Sequence, residues 1–281
     1  MITAGPVHRV RSAGITALRA AGIAAAEHDA TELLAYVLGC PRGMLPLAPA
    51  VDARQASRYT DLIARRGARE PLQHLTGTAG FYGLELRVGP GGFIPRPETE
   101  LLVENALAAT ERIAEPTVID LCAGTGAIAI ALAVTRPTAR VVALERSADA
   151  FAWLRRNVKE FAPQVQLVHD DVLRAELTPG TADLVTCNPP YVPASTGVDE
   201  EVRHDPREAV FAGVDGLDLI RPLVVRIADL LRPGGVTVLE HDASHQDAVV
   251  ELFAASGRYD VITPLRDMAG RPRFVRATRQ R

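Results

Sequence analysis

The segment 118–133, VIDLCAGTGAIAIALA, decides the fold of this chain. An apolar run typical of a buried strand leads into the turn Cys122-Ala-Gly-Thr-Gly126, and small apolar residues typical of a helix follow. Glycine at 124 and 126 lets the backbone approach a ligand closely, and the helix N-terminus behind the turn offers free N–H groups. The segment therefore predicts a strand, a turn and a helix that bind part of a nucleotide, although an ordinary strand-to-helix turn can carry the same pattern.

The residues after Pro116 alternate between strand-forming and helix-forming segments. Predicted strands cover 117–121, 140–145, 165–168, 182–187 and 235–240, and predicted helices cover 127–135, 148–161, 217–231 and 245–255. Such alternation indicates a parallel sheet covered on both faces. Two further strands, near 258–262 and 273–277, are too close for a helical crossover and predict a hairpin. We expect an α/β protein with a Rossmann-like sheet of seven strands.

Two more regions precede this sheet. Residues 1–76 show helical periods and predict a bundle of four or five short helices, with a helix ending at Gly39 and another capped by Asp52. Residues 77–97 predict a β-hairpin linker, with a strand at 81–88, a turn at 89–92 and a short strand at 93–94. The sheet domain would then cover 98–281.

Composition excludes several classes of protein. The 281 residues are 47% apolar and 23% charged, which is ordinary for a globular protein. We find no apolar run long enough for a transmembrane helix and no secretory h-region. The cysteines, Cys40, Cys122 and Cys187, form no CxxC pair, which favours a reduced, cytoplasmic setting. P-loop, GxSxG and HExxH motifs are missing from the sequence, and we expect no metal.

The charge argues against a protein that coats nucleic acid. The net charge is −3, and its distribution is uneven, because residues 1–75 hold nine arginines against six carboxylates while the remainder is net negative.

Acidic residues follow the next two predicted strands after the glycine turn. Glu145 ends the second strand about 20 residues after the turn, where a carboxylate can accept both hydroxyls of a ribose. Asp171 follows the third strand, at the place expected for an adenine. Together with the turn, these acids predict an adenosine pocket. The strict dinucleotide fingerprint is not met because position 129 is alanine, which disfavours a dehydrogenase.

The stretch VTCNPPYVP at 185–193 ends another predicted strand abruptly. Two successive prolines remove two backbone donors and fix two φ angles, so that Asn188 lies on a stiffened loop. Such loops at strand ends carry chemistry in α/β proteins, although a simple loop terminator would look the same.

Several segments together resemble one family. They are Glu70-Pro-Leu-Gln-His74, Phe81-Tyr-Gly-Leu-Glu85, Ile94-Pro-Arg-Pro-Glu-Thr-Glu100, Gly124-Thr-Gly-Ala-Ile128 with Asp120, Asn188-Pro-Pro-Tyr191, Asp215-Gly-Leu217, Pro233-Gly-Gly235 and Leu239-Glu240. The chain resembles the release factor glutamine methyltransferases, which use S-adenosylmethionine to methylate the glutamine of the Gly-Gly-Gln motif in peptide chain release factors. The resemblance implies a methyltransferase sheet, a helical domain that docks the release factor, and no direct contact with nucleic acid or membrane. We further expect a monomer.

The resemblance also assigns residues. The predicted S-adenosylmethionine-binding residues are Phe93, Asp120, Cys122, Ala123, Gly124, Thr125, Gly126, Glu145, Asp171, Val172 and Asn188, and the predicted catalytic residues are Asn188, Pro189, Pro190 and Tyr191. Phe93 fits the hydrophobic core equally well. Cys122-Ala123 replace a Gly-Thr pair that is usual in the family, and both are small.

The chemistry of an amide agrees with this assignment. A glutamine amide nitrogen is a poor nucleophile because its lone pair is delocalised, and its two N–H groups need acceptors. The Asn188 side-chain oxygen and the Pro189 carbonyl can accept them and orient the nitrogen for in-line displacement. Tyr191 can pack against the amide face and exclude water. No general base is required, because the proton can leave after methyl transfer.

Alternatives remain open from the sequence. The same loop would serve an enzyme that methylates a glutamine of a ribosomal protein, an adenine amino-methyltransferase acting on nucleic acid, or an inactive cofactor-binding module. Arg96 could pair with Glu98, Glu100 or a substrate carbonyl. Residues 192–216 are expected to form a flexible loop that faces the substrate.

Overall fold

The computed structural model describes residues 2–281 and divides into two compact units. One unit contains the chain up to Thr78 together with Asp199–His204, and the other contains Ala79–Val198 and Asp205–Arg281. The short segment Asp199–His204 therefore packs with the helical unit, although it lies far along the chain within the predicted sheet domain. No local sequence pattern predicts that this segment packs with the helical unit.

The first unit is helical. Its helices are α1 (Val7–Ala20), α2 (Ala26–Leu38), a 3₁₀ helix (Arg42–Leu47), α3 (Ala53–Gly67) and α4 (Leu72–Thr76). The predicted ends are confirmed, because Gly39 caps α2 in the left-handed conformation and Asp52 forms a capping box with Gln55 at the start of α3. Inside the bundle Arg66 binds the buried carboxylate of Asp29 at 2.7 Å. Arg66 also binds Glu201 at 2.6 Å, which ties Asp199–His204 to this unit.

The second unit is built on a seven-stranded sheet. In spatial order its strands are β5 (Gln166–His169), β4 (Arg140–Glu145), β3 (Thr117–Leu121), β6 (Ala182–Cys187), β7 (Leu231–Glu240), β9 (Pro272–Arg279) and β8 (Tyr259–Arg266). The first five are parallel, and β9 runs antiparallel to both β7 and β8. The predicted fold class, with its parallel strands and terminal hairpin, is confirmed.

Helices cover this sheet and bury two apolar clusters against it. They are α5 (Glu100–Thr110), α6 (Ala127–Thr135), α7 (Ala148–Phe161), α9 (Ile220–Leu230) and α10 (Gln246–Ala255), whereas the four-residue helix α8 (Arg207–Val210) contributes no residue to these clusters. The order of the strands reverses between β3 and β6. Ligands of open α/β sheets bind outside the carboxyl ends of strands at such a switch point. The glycine turn after β3 and the Asn188 loop after β6 both lie there.

The predicted details of the hairpin are wrong. The hairpin consists of β1 (Thr78–Phe81) and β2 (Leu84–Arg87), joined by a two-residue turn at Tyr82 and Gly83, and no strand forms at 93–94. Both turn residues have positive φ, 50° and 76°, as a type I′ turn requires. Tyrosine is an unusual residue for that position, so local preference does not predict a turn there. The Gly-Pro-Gly-Gly segment instead packs against Trp153.

Two element boundaries also differ from prediction. Helix α9 starts at Ile220 rather than 217, and β7 starts at Leu231 rather than 235, with an irregularity in its pairing to β6 between Ala182 and Leu184. Within the segment 192–216, Val192 forms a parallel β-bridge with Phe211. No helix within residues 2–281 is long and apolar enough to cross a membrane.

Candidate active site

The glycine turn uses its two glycines differently. Gly124 has φ +56°, and a Cβ built there would meet no heavy atom within 4 Å. Gly126 has φ +92°, and its Cβ would lie 2.7 Å from Leu154 Cδ1. Gly124 therefore leaves open space beside the backbone, whereas Gly126 allows α6 to pack closely against α7. Cys122 also adopts a positive φ of 58°, which tightens the turn.

Asp120 is a buried acid on β3. Its side chain is 0% exposed, and Oδ1 accepts a hydrogen bond of 2.7 Å from the Thr186 hydroxyl on the neighbouring strand β6. Oδ2 is buried and has no hydrogen-bond partner among the described residues. Burial raises the pKa of Asp120 to about 7, and the hydrogen bond from Thr186 opposes that rise. The backbone N–H of Ala129 in the first turn of α6 also lowers this pKa.

Glu145 holds the glycine turn. Its Oε2 accepts the Gly124 backbone N–H at 2.8 Å, and its Oε1 accepts the Ser147 N–H at 2.7 Å. The two bonds fix the carboxylate at the backbone N–H of Gly124. Each carboxylate oxygen retains a further lone pair for a ribose hydroxyl.

The residues predicted to flank the adenine are held separately from the turn. Asp171 accepts the Leu173 backbone N–H at 2.9 Å and lies 3.4 Å from the Arg146 guanidinium. Val172 is buried in the cluster beneath the sheet. Neither Asp171 nor Val172 is linked to Glu145 by a side-chain hydrogen bond. The contact of these two residues with the cofactor therefore stays a prediction.

Phe93 lies on the segment that packs over the glycine turn. The preceding residue, Gly92, is so close to the turn that a Cβ would lie 2.8 Å from Thr125 Cγ2. The Phe93 ring is half-buried and stacks under the guanidinium of Arg96 at 4.9 Å. Arg96 forms an ion pair with Asp205, which is almost fully buried, instead of the predicted partners Glu98 or Glu100.

The register of the sheet places Asn188 beside the turn. Leu121, the last residue of β3, pairs with Cys187, the last residue of β6. Cys122 and Asn188 each follow the last residue of one of these paired strands, so they lie at the same edge of the sheet. Burial raises the pKa of the Cys187 thiol, the neighbouring Cys122 thiol raises it further, and neither cysteine forms a disulfide. The structure thus brings the predicted turn and the predicted catalytic loop together.

A chain of hydrogen bonds holds the Asn188 loop. Asn188 Nδ2 donates to the Thr99 hydroxyl at 3.4 Å, and that hydroxyl donates to Glu240 Oε2 at 2.8 Å. The Tyr191 hydroxyl donates to Glu240 Oε1 at 3.0 Å. Oδ1 of Asn188 is not used in these contacts. Pro189 is buried and Pro190 half-buried between the two anchored side chains, which rigidifies the loop.

Sequence reasoning missed the residues that hold the predicted ones. Thr99 and Glu240 lie within the family-like segments 94–100 and 239–240, but the sequence assigns them no site role because 141 residues separate them. Asn157 of α7 is fully buried and donates from Nδ2 to the carbonyls of Thr125 and Arg87, each at 2.9 Å, while it accepts the Arg87 N–H at 2.8 Å. Asn157 thereby fastens the glycine turn to β2. A polar residue on the inner face of an amphipathic helix is the signal that could have identified it.

Metal-ligating geometry does not occur in the described part of the chain. Within residues 2–281 no group of three or more His, Cys, Asp or Glu side chains could hold an ion.

The comparisons with known proteins decide the family. Family models match residues 10–77 as a PrmC N-terminal domain and residues 97–205 as a Methyltransferase small domain. A release factor glutamine methyltransferase of Mycolicibacterium smegmatis is 45% identical over 95% of each chain. A release factor glutamine methyltransferase of Streptomyces coelicolor is 47% identical over 92% of each chain. That of Deinococcus radiodurans is 40% identical over 93% of this chain and 94% of the relative. The chain belongs to the release factor glutamine methyltransferase family.

Membership confirms the predicted class of enzyme, a methyltransferase that uses S-adenosylmethionine. A solved structure of a methyltransferase from Pyrococcus furiosus matches with a TM-score of 0.52 at 17% identity and covers 78% of this chain and 100% of that one. At that identity the likeness supports the fold alone.

Proposed function

We propose that this methyltransferase transfers the methyl group of S-adenosylmethionine to the side-chain amide nitrogen of the glutamine in the Gly-Gly-Gln motif of release factors. The observation that carries the proposal is the Asn188 amide, which is held through its nitrogen by Thr99 beside the glycine turn. This arrangement leaves a fixed carbonyl-type acceptor for a substrate that has two amide protons to donate.

The chain's residues fit the cofactor. The open side of Gly124 gives backbone access, and the fixed carboxylate of Glu145 suits two ribose hydroxyls. S-adenosylmethionine supplies an electrophilic methyl group on a sulfonium centre when it is bound. The remaining work of catalysis is to hold the substrate amide, and the loop at 188–191 performs it.

Asn188 and Pro189 hold the substrate amide. Asn188 Oδ1 and the Pro189 carbonyl each accept one amide proton of the substrate, so the nitrogen has one orientation. Two acceptors also stabilise the nitrogen as it becomes more positive during transfer. The ring of Tyr191 is fixed through its hydroxyl to Glu240 and can cover the flat face of the amide. The proton leaves after transfer, which removes the need for a general base.

The protein partner is a release factor, and we expect residues 1–76 to supply part of its docking surface and the enzyme to act as a monomer. The net positive charge of the helical residues supports docking on an acidic protein surface. The net negative charge of the remaining residues supports a protein substrate over nucleic acid, whose phosphates require cations.

Single-turnover methyl transfer with the Asn188 variants tests the assignment. Asn188→Ala removes an acceptor for the substrate amide, and we expect a fall in rate of at least about 100-fold, the range for loss of one oriented hydrogen-bonding group. Asn188→Asp retains an acceptor oxygen and should keep part of the rate. Equal rates for Asn188→Ala and the unmodified enzyme would remove Asn188 from catalysis. Methylation of DNA offered in parallel, with none of the release factor, would replace the proposed substrate.

A further inference from the structure

The Thr99 hydroxyl does something other than cap a helix. Thr99 occupies the N-cap position of α5, where a threonine side chain ordinarily accepts a hydrogen bond from a backbone N–H of the first turn. No such bond is formed here. The residue is buried, and its hydroxyl instead joins Asn188 to Glu240.

The three side chains form a chain of bonds with one direction. An ionised carboxylate can only accept hydrogen bonds, and Glu240 accepts one from Thr99 and one from Tyr191. The single hydroxyl proton of Thr99 is then committed to Glu240. The Thr99 oxygen can only accept from Asn188, so it selects the nitrogen of the Asn188 amide over its oxygen.

We propose that Thr99 and Glu240 are positioning residues that lock the Asn188 amide in the orientation that offers its oxygen to the substrate. The proposal rests on the proposed role of Asn188 as an acceptor. An unlocked amide could rotate and present its NH₂ group, which would face the donor NH₂ group of the substrate glutamine. Neither Thr99 nor Glu240 needs to touch the substrate for this effect.

The surroundings of Glu240 make the lock sensitive to pH. Burial raises the pKa of Glu240 to about 7, the bonds from Thr99 and Tyr191 lower it, Arg273 on β9 also lowers it, and Glu98 ahead of α5 raises it. His241 follows Glu240, and burial lowers its pKa. Once protonated, Glu240 is itself a donor, and the Thr99 proton is free to turn to Asn188. The active form is therefore the ionised one, and activity falls as pH falls through this pKa.

Four variants test the lock in the full-length enzyme with S-adenosylmethionine and a release factor. Thr99→Val removes the hydroxyl, Thr99→Ser retains it, and Glu240→Gln replaces the acceptor-only carboxylate with an amide. Thr237→Val is the matched control, because Thr237 is an equally buried threonine whose hydroxyl donates to the Val185 carbonyl at 2.9 Å within the sheet.

We expect Thr99→Val and Glu240→Gln to lower kcat about 10- to 100-fold, because misplacement of a positioned group by about 1 Å can cost about 100-fold. The dissociation constant of S-adenosylmethionine should not change, and Thr99→Ser should keep most of the activity. Thr237→Val should lower stability and leave kcat as it is. The acid limb of the kcat profile should be present in the unmodified enzyme and absent in Glu240→Gln. A full rate in Thr99→Val, or an acid limb that persists in Glu240→Gln, overturns the proposal while the proposed function stands.

A second measurement separates the proposal from the function. The side-chain amide signals of Asn188 can be assigned in a ¹H–¹⁵N spectrum because they disappear in Asn188→Asp. We expect them to shift with pH near the Glu240 pKa in the unmodified enzyme and to stay constant in Glu240→Gln. This readout needs no release factor, so a failure of methyl transfer would leave it decisive. Signals that do not respond to pH in either protein contradict the lock.

Discussion

Alanine substitutions at Gly124 and Gly126 distinguish the space for a ligand from the packing of the fold. Both residues have positive φ, which costs an L-residue about 1–2 kcal/mol. A Cβ at 126 would also lie 2.7 Å from Leu154 Cδ1 and 3.0 Å from Ile130 Cδ1. Overpacking of that kind costs roughly 1–3 kcal/mol more. A Cβ at 124 would meet no protein atom.

The two variants should therefore fail in different ways. We expect Gly126→Ala to lower the free energy of unfolding of the sheet unit by about 2–5 kcal/mol, and Gly124→Ala to lower it by about 1–2 kcal/mol. Affinity for S-adenosylmethionine should change in the opposite order. The new methyl group at 124 would lie in open space assigned to the cofactor, and a loss of about 1.4 kcal/mol of binding energy or more there raises Kd at least tenfold.

Urea unfolding and calorimetric titration measure the two effects. Trp153 is the only tryptophan in the sequence, and its indole N–H donates to the Pro90 carbonyl at 3.1 Å beside the glycine turn, so its fluorescence reports on the sheet unit. Calorimetry below the unfolding transition gives the Kd for S-adenosylmethionine. Unchanged affinity in Gly124→Ala would refute the assignment of its open side to the cofactor. Equal stability losses in the two variants would refute the packing argument.

Two further predictions concern buried polar residues. Asn157→Ala removes three hydrogen bonds and leaves buried partners unsatisfied, so we expect the free energy of unfolding in urea to fall by about 3 kcal/mol and cofactor binding to weaken. The control Asn105→Ala removes one bond to the Leu101 carbonyl and should cost about 1 kcal/mol. Equal losses in the two variants would contradict this prediction. Burial raises the pKa of Asp120 to about 7, so its contribution to the free energy of unfolding falls as pH rises toward 7, by at most about 1.4 kcal/mol per pH unit. The stability of Asp120→Asn relative to the unmodified enzyme should therefore rise from pH 5 to pH 8. A difference that stays constant with pH would contradict the buried charge.

Local patterns were sufficient to predict the sheet. The strand ending at Leu121 and the helix starting at Ala127 were both located correctly, because an apolar run, a glycine turn and a small-residue helix carry their own signals. Caps were equally readable at Gly39 and Asp52. The prediction of the hairpin was wrong in its details because the turn places Tyr82 at positive φ, which no local preference of tyrosine favours.

Site residues on strand ends could be predicted, but their supports could not. Parallel strands bring their carboxyl ends to one edge, so Gly124, Glu145 and Asn188 were expected to converge. The links from Asn188 through Thr99 to Glu240, and from Asn157 to the turn, depend on packing between distant segments. Sequence spacing also does not show that Gly126 allows α6 to pack closely against α7, since that depends on Leu154 of a later helix; the contact of Gly126 with the cofactor stays a prediction.

The most direct test of the account offers the purified enzyme two substrates, with radiolabelled S-adenosylmethionine as the donor. One is a release factor, and the other is the same factor with the glutamine of its Gly-Gly-Gln motif replaced by alanine. We expect label to enter the first factor and not the second, and we expect Asn188→Ala to abolish the difference by removing transfer to the first. Label that enters both factors equally, or neither factor while a ribosomal protein is labelled, would contradict it.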